Sequence, residues 1–305
     1  MSQTTLAPAV PAIAGAARVP MTATLLEPVH HGAGTTGNIA KLRRQQIVLP
    51  DGRKAAVPYV SGNSLRHRLR DALAWNLVTV LDVPQGSLSK PIVDLLWSGG
   101  SISRTGSEVD LARARRVEQL LPFLALMGYA TGADMVAGTL TVANLQVVCA
   151  ENAFRLPPSL AGHPHAVLPA GSLQSEEFAT RHDPLSGPID RLVQDTEPPA
   201  TSQMIYEMQV LEPGAVLFGS FGLGAGASPG HRAVLAAALD LAAPSDAHGR
   251  RVIHLGGKSA VGYGTALLDL DWNALCDLDQ AAVWWRGHLL EHRTEILELL
   301  REVAA

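Results

Sequence analysis

The stretch Val57-Pro58-Tyr59-Val60-Ser61-Gly62-Asn63-Ser64-Leu65-Arg66-His67-Arg68-Leu69-Arg70 constrains the fold more than any other part of the chain. A short apolar run ends at a Ser-Gly-Asn-Ser turn. Beyond the turn, Leu65, Leu69, Leu73 and Leu77 recur four residues apart. The pattern predicts a strand, a tight turn and a helix from Ser64 to about Val80, capped by Asn63 or Ser64. Arg66 and Arg70 stand one turn apart on that helix. Backbone N–H groups at a helix start, beside two guanidiniums, make a seat for phosphate. A second glycine-rich turn, Leu255 to Gly264, lies far along the chain and carries Gly256, Gly257, Lys258 and Ser259. Together the two turns suggest a surface that holds a phosphate backbone.

The remaining pattern predicts strands over Met21–His31, 139–149, 204–211, 215–221, 252–255 and 265–270. Residues 32–38 read as a loop, and 39–60 as a basic hairpin turning at Pro50-Asp51-Gly52. Ser228-Pro229 marks a helix start, with Ser as cap and Pro at the first helical position. The C-terminus reads as one helix from about Gln280 to Val303. Residues 82–138 read as a mostly helical insertion whose early Gly/Ser loop contains Arg104. Residues 151–203, broken by eight prolines, read as an excursion in the form of a long loop or hairpin. With the insertions set aside, the order fits an α+β sandwich of ferredoxin-like type. Residues 1–20 read as a flexible tail and 21–305 as a single domain.

The chain has a net charge of −4, which argues against a generic nucleic-acid binder, but its charge is unevenly spread. Residues 38–70 carry eight cations against Asp51 alone, whereas residues 269–305 carry eight acids against three arginines. A basic face with an acidic end fits a polyanion ligand, and equally head-to-tail association of copies. Two cysteines, Cys149 and Cys276, exclude a disulfide framework and a Cys-rich zinc site, and suit a reducing, cytoplasmic setting. Glycines interrupt the longest uncharged run, so no membrane span is expected.

Several motifs carry competing readings. Gly257-Lys258-Ser259 invites a P-loop, but the position five residues before its Gly-Lys is Val252 and a strand follows instead of a helix. His30-His31 could ligate a metal, act as acid and base, or bind a ligand phosphate. The plain alternative is one packed and one surface histidine, since neighbours in a strand face opposite ways. Lys41, Arg43 and Arg44 form either a solvated hairpin face or a phosphate contact. Met204 and Tyr206 alternate on one strand face; Met204 is either core or a wedge between bases.

In order along the chain, these segments resemble the RAMP superfamily of CRISPR-associated proteins. Residues 58–70 look like that family's Pro-Tyr-Ile-Pro-Gly-Ser-Ser-Leu-Lys-Gly-x-x-Arg segment, and Leu255–Gly264 looks like its glycine-rich loop. Within the superfamily the chain is most similar to the Cas-seven backbone group, in particular the type IV proteins. The resemblance implies a palm of RNA-recognition-motif type, fingers at 82–138 and a thumb at 151–203. It implies guide-RNA contacts from His30, Asn38, Lys41, Arg43, Asn63, Ser64, Arg66 and Arg70, with Gly256–Ser259 closing the groove. It also implies copies of the same chain and other effector subunits as partners, and a target nucleic acid held by base pairing. Type III relatives carry an RNA-cutting aspartate after the first strand. Here Gly32–Asn38 contains no acid, so a non-catalytic subunit without cofactor or metal is expected. The alternative is a RAMP endoribonuclease using His30 or His31.

Overall fold

The computed structural model describes residues 18–102, 110–132, 134–181, 204–271 and 277–303. The chain opens with β1 (Arg18–Leu25), the hairpin β2 (Gly32–Thr36) and β3 (Ile39–Leu42), the hairpin β4 (Arg44–Val48) and β5 (Lys54–Val60), and the long helix α1 (Gly62–Val80). Next come α2 (Lys90–Val93), running into a π-turn at Asp94–Ser98, then α3 (Leu111–Leu120), α4 (Pro122–Met127) and the hairpin β6 (Tyr129–Thr131) and β7 (Asp134–Val136). Short strands β8 (Leu140–Val142) and β9 (Leu145–Val147) lead into successive 3₁₀ turns and then β10 (Gln174–Arg181). The last part contains β11 (Met204–Leu211), β12 (Val216–Leu223), α5 (Pro229–Ala242), β13 (Val252–His254), β14 (Thr265–Leu270), α6 (Leu278–Glu291) and α7 (Arg293–Val303).

Six of these elements form the palm. They run β1, α1, β9, β12, α5, β14, and the strands lie side by side in the order β14-β1-β12-β9. Every neighbouring pair is antiparallel. That is the ferredoxin-like arrangement of an RNA-recognition motif, an α+β fold with its helices on one sheet face. β13 extends one edge, and β5 and β4 extend the other. The pleat of β1 explains its sequence: Val19, Met21, Ala23 and Leu25 are buried, and the residues between them face the other way. α1 lays Leu65, Leu69, Leu73 and Leu77 into the same core. α5 is apolar nearly all round because it lies between α1, α4 and α6.

A second sheet, ordered β10-β11-β3-β2, stands beside the palm. The isolated bridge Val29↔Leu211 ties the two together.

The structure corrects several boundaries. Residues 18–20 belong to β1 and not to a tail. Residues 32–38 are not a loop: Gly32–Thr36 is a strand paired with β3, which docks parallel on β11. Gly-Ala-Gly-Thr-Thr shows no alternation of its own, so tertiary pairing decides its state. The expected C-terminal helix is two helices with a break at His292. The cap of α1 is Ser61, whose hydroxyl accepts from the Ser64 N–H at 3.2 Å. The described part of 82–138 packs on α1, α5 and α6; Phe123 sits edge-on to Trp285 of α6 at 6.3 Å. The described part of 151–203 begins as 3₁₀ turns packed on the sheet and continues as β10, paired with β11. Arg104 and Cys276 lie outside the described residues; Cys149 is buried.

Candidate nucleic-acid interface

The glycine turn joins two antiparallel strands, β13 and β14, which confirms that the context of a P-loop is missing. The first of its glycines is needed. Gly256 has φ +71°, and a Cβ there would lie 2.5 Å from the His30 carbonyl oxygen. This close approach lets the Gly257 N–H donate to that same carbonyl at 2.9 Å. Lys258 is itself in the left-handed region at φ 63°. Its ammonium sits 4.6 Å from the centroid of the Tyr206 ring, a cation–π contact. Tyr263 donates its hydroxyl to the Glu177 carboxylate, and this bond pushes the phenol up to about 12. The turn is thus buttressed by β10 and β11. Met204 begins β11, and its side chain lies outside what the structure describes.

His30 and His31 hold this turn to the rest of the palm. His30 is buried and donates from Nδ1 to the Gln209 carbonyl at 2.8 Å. The His31 Nε2 accepts from the Ser61 N–H at 3.2 Å. Burial, reinforced by Arg43 and then His30, lowers the His31 pKa to about 4. Neither histidine is the surface member expected from alternation. Both rings serve backbone groups, and His31 is a neutral acceptor.

The helix start that sequence reasoning left open to phosphate is largely occupied. The Ser61 N–H goes to His31, the Gly62 N–H to Asn144 Oδ1 at 2.9 Å, and the Ser64 N–H to the Ser61 hydroxyl. Asn63 is exposed beside them and Ser64 is half-buried.

The largest correction concerns Arg66 and Arg70. Arg66 donates to the carbonyls of Leu140 at 2.6 Å and Met127 at 2.5 Å. Arg70 donates to the carbonyls of Leu95 (3.4 Å), Met127 (3.1 Å) and Gly128 (2.6 Å), and is only 7% exposed. Burial, with Arg66 as a second cause, lowers the Arg70 pKa to about 10. These are not the solvent-facing phosphate ligands expected. They bind 82–138 to α1 by donating to buried main-chain carbonyls, which bury at less cost when hydrogen-bonded. The arginine that does meet the glycine turn is Arg68. Its Nη2 lies 3.5 Å from Ser259 Oγ. Positions 66 and 68 differ by about 200° around a helix, so the two point to opposite sides.

Beside this turn runs the basic strand segment. Lys41, Arg43 and Arg44 are all exposed. The Arg43 N–H donates to the His31 carbonyl at 2.7 Å, fixing the segment against the histidines. Arg44 donates to Gln174 Oε1 and so bridges β4 to β10. Asn38 is exposed in the β2–β3 turn, its carbonyl accepting from the Glu207 N–H at 3.0 Å. One feature missed from sequence lies nearby. The Glu207 carboxyl is held above its ordinary value because it shares a hydrogen bond with Glu176.

The fold has a solved counterpart. A chain of a type IV-B CRISPR complex superposes with TM-score 0.56 at 21% sequence identity, covering 85% of this chain and 92% of that one. At this identity the likeness shows the fold. No protein-family model matches the chain, and no curated protein matches it in sequence. Among the described residues, no helix is long and apolar enough to cross a membrane, and no group of three or more metal-ligating side chains gathers.

Proposed function

We propose that this protein is a non-catalytic, guide-RNA-binding backbone subunit of a multi-subunit CRISPR effector complex. Copies would polymerise along the RNA and leave its bases free to pair with a target nucleic acid. The observation that carries this reading is the convergence of the glycine turn, Arg68 and the Lys41–Arg44 segment around the His30-His31 corner of an RNA-recognition-motif palm. The fold shared with a chain of a type IV-B CRISPR complex supports it. Flexible cations around a glycine turn suit a sugar–phosphate chain, because such contacts set register without reading sequence. The exposed cationic segment and the acidic C-terminal stretch give successive copies complementary faces. The absence of acid from Gly32–Asn38, and the use of His31 as a backbone acceptor, favour binding over cutting.

The test is RNA binding by the full chain across a salt series. Each lost phosphate contact on a single strand lowers the log–log salt slope by about 0.7. Replacing Lys41, Arg43 and Arg68 together with alanine should lower it by about 2, equally for unrelated sequences. Loss confined to one sequence would contradict the reading. Cutting of labelled RNA that disappears in His31→Ala would replace it with the endoribonuclease.

A further inference from the structure

The sheet face away from α1 and α5 carries a cavity of about 980 Å³, distinct from the glycine-turn surface. Strand register fixes its floor. Thr22 pairs with both Asp269 and Phe218, and Phe218 pairs with Gln146. Directly paired residues share a face, so Asp269, Thr22, Phe218 and Gln146 form one row across four strands. At about 4.8 Å between strands, the row is about 14 Å long.

Its two ends differ in charge. Asp269 is exposed at one end. At the other, Arg155 reaches in from the 3₁₀ turns after β9. Its Nε donates to Asn152 Oδ1 at 2.9 Å, and its Nη2 donates to Asn152 Oδ1 at 2.6 Å and Gln146 Oε1 at 3.0 Å. Asn152 is fully buried and anchored by its own bond to the Val147 carbonyl at 2.7 Å. Gln146 donates onward to Gln45 at 3.0 Å. Arg155 is therefore held in place by neutral amides. Among the described residues no carboxylate pairs with it, and its Nη1 protons have no protein partner. Between the charged ends lies Phe218, packed on Val148, Leu160, Ala166 and Val216.

A carboxylate, an aromatic ring and an unpaired guanidinium in line match the three parts of one nucleotide. We propose that this cavity binds a single unpaired nucleotide, with its base against Phe218, its phosphate on Arg155 and an exocyclic amino group toward Asp269. The volume lies within the range of small-ligand sites. Aromatic side chains on an open antiparallel sheet are a recurrent platform for unstacked bases. Here Thr22 occupies the adjacent strand, so the floor offers one ring and one base position. The nucleotide can belong to an RNA strand or be free.

Two measurements on the full chain decide the matter. In the first, AMP, CMP, GMP and UMP are titrated calorimetrically. AMP, CMP and GMP should bind more tightly than UMP, and Asp269→Asn should shrink that preference. Phe218→Leu should weaken binding about 10-fold, while Phe218→Tyr retains it. Arg155→Gln should erase the advantage of AMP over adenosine. In the second, ultraviolet crosslinking of single-stranded RNA should label the peptide Val216–Leu223. Crosslinks in that peptide, lost in Phe218→Leu, assign the site to a strand nucleotide. Mononucleotide binding lost in the same variant, without RNA retention, assigns it to a free nucleotide and removes the backbone-subunit reading. RNA that crosslinks only at the glycine turn, with no mononucleotide binding, overturns the cavity proposal and leaves the subunit reading intact. Equal binding of Phe218→Leu and the native chain overturns it as well.

Discussion

The two sides of α1 use the same amino acid for opposite purposes. On the side facing residues 82–138, Arg66 and Arg70 are drawn into main-chain carbonyls and hold the insertion to the palm. On the side facing the glycine turn, Arg68 reaches only a serine hydroxyl at 3.5 Å and remains partly in solvent. Burial, not residue type, separates a structural cation from one available to a ligand. A guanidinium with three carbonyl partners has little left to offer phosphate, whereas one at the margin of a glycine turn keeps its donors.

The sharpest way to break this contrast is Arg70→Ala. The substitution takes the Arg70 donor from the Gly128 carbonyl and one of two donors from each of Leu95 and Met127, which keep the Gly99 N–H and Arg66. Hydrogen bonds to a charged group contribute about 1.5–3 kcal/mol each, and two of the three acceptors keep another donor, so a cost of about 3 kcal/mol is expected. Urea unfolding measures it. Arg70→Lys should recover little, because one ammonium cannot reproduce the planar fork. If Arg70→Ala left stability intact and weakened RNA binding instead, the two sides of the helix would have to exchange roles.

The second prediction tests the glycine-turn side through pH. His31 has a pKa of about 4 in the fold against 6.5 for an ordinary histidine. Between those values the unfolded chain binds the extra proton, so stability rises with pH there. The contribution is complete above pH 6.5 and is lost as pH falls toward 4. A shift of this size would correspond to about 3.4 kcal/mol for a fully buried group, and solvent screening of the half-buried ring reduces this to on the order of 2 kcal/mol. His231 and His288, also lowered by burial, act in the same direction. His31→Gln keeps an acceptor for the Ser61 N–H, so it should flatten the acid limb of a stability–pH curve without abolishing folding. An unchanged limb would mean that His31 does not support this corner.

Much of this arrangement was legible in the sequence. The leucine spacing of α1, the Ser228-Pro229 helix start and the glycine turn between two strands are local signals, and each element forms where those signals put it. The roles of the α1 arginines were partly legible. On a helical wheel, Arg66 and Arg70 lie about 40° and 80° from the centre of the leucine stripe, and Arg68 about 120° away on the other side. The wheel marks Arg68 as the most outward of the three. What it does not contain is the partner of the near side, since Met127, Gly128 and Leu140 lie dozens of residues on. β2 was illegible for a related reason: its glycines and threonines acquire a strand only from β3. The Glu176–Glu207 pair and the Arg155 network likewise join residues from separate strands and turns, which spacing along the chain does not reveal.

A third prediction weakens the joint between the glycine turn and the histidines. Gly256→Ala adds a Cβ 2.5 Å from the His30 carbonyl oxygen at a backbone φ of +71°. Strain at such a position costs about 1–3 kcal/mol. The turn should shift away from His30, lowering thermal stability modestly and RNA affinity with it. Gly257→Ala is the control: its Cβ would lie 3.9 Å from the same oxygen, an ordinary contact. Equal behaviour of the two variants would show that the close approach at Gly256 does not hold the turn.

The smallest effect on the fold is expected from Arg68→Ala combined with Lys258→Ala. Both side chains are substantially solvated, Arg68 has only the long contact to Ser259, and Lys258 has one exposed cation–π contact worth about 0.5–1 kcal/mol. Their joint removal should therefore cost no more than about 1 kcal/mol. RNA affinity should still fall, with a salt slope shallower by about 1.4 if each side chain touches one phosphate. The double variant is thus the mirror image of Arg70→Ala, keeping the fold and losing the ligand. Measuring unfolding and RNA binding on both proteins places each arginine on one side of the helix or the other. Should both variants lose stability and affinity together, the glycine-turn cations would be structural too, and the proposed phosphate-binding surface would not lie at the glycine turn.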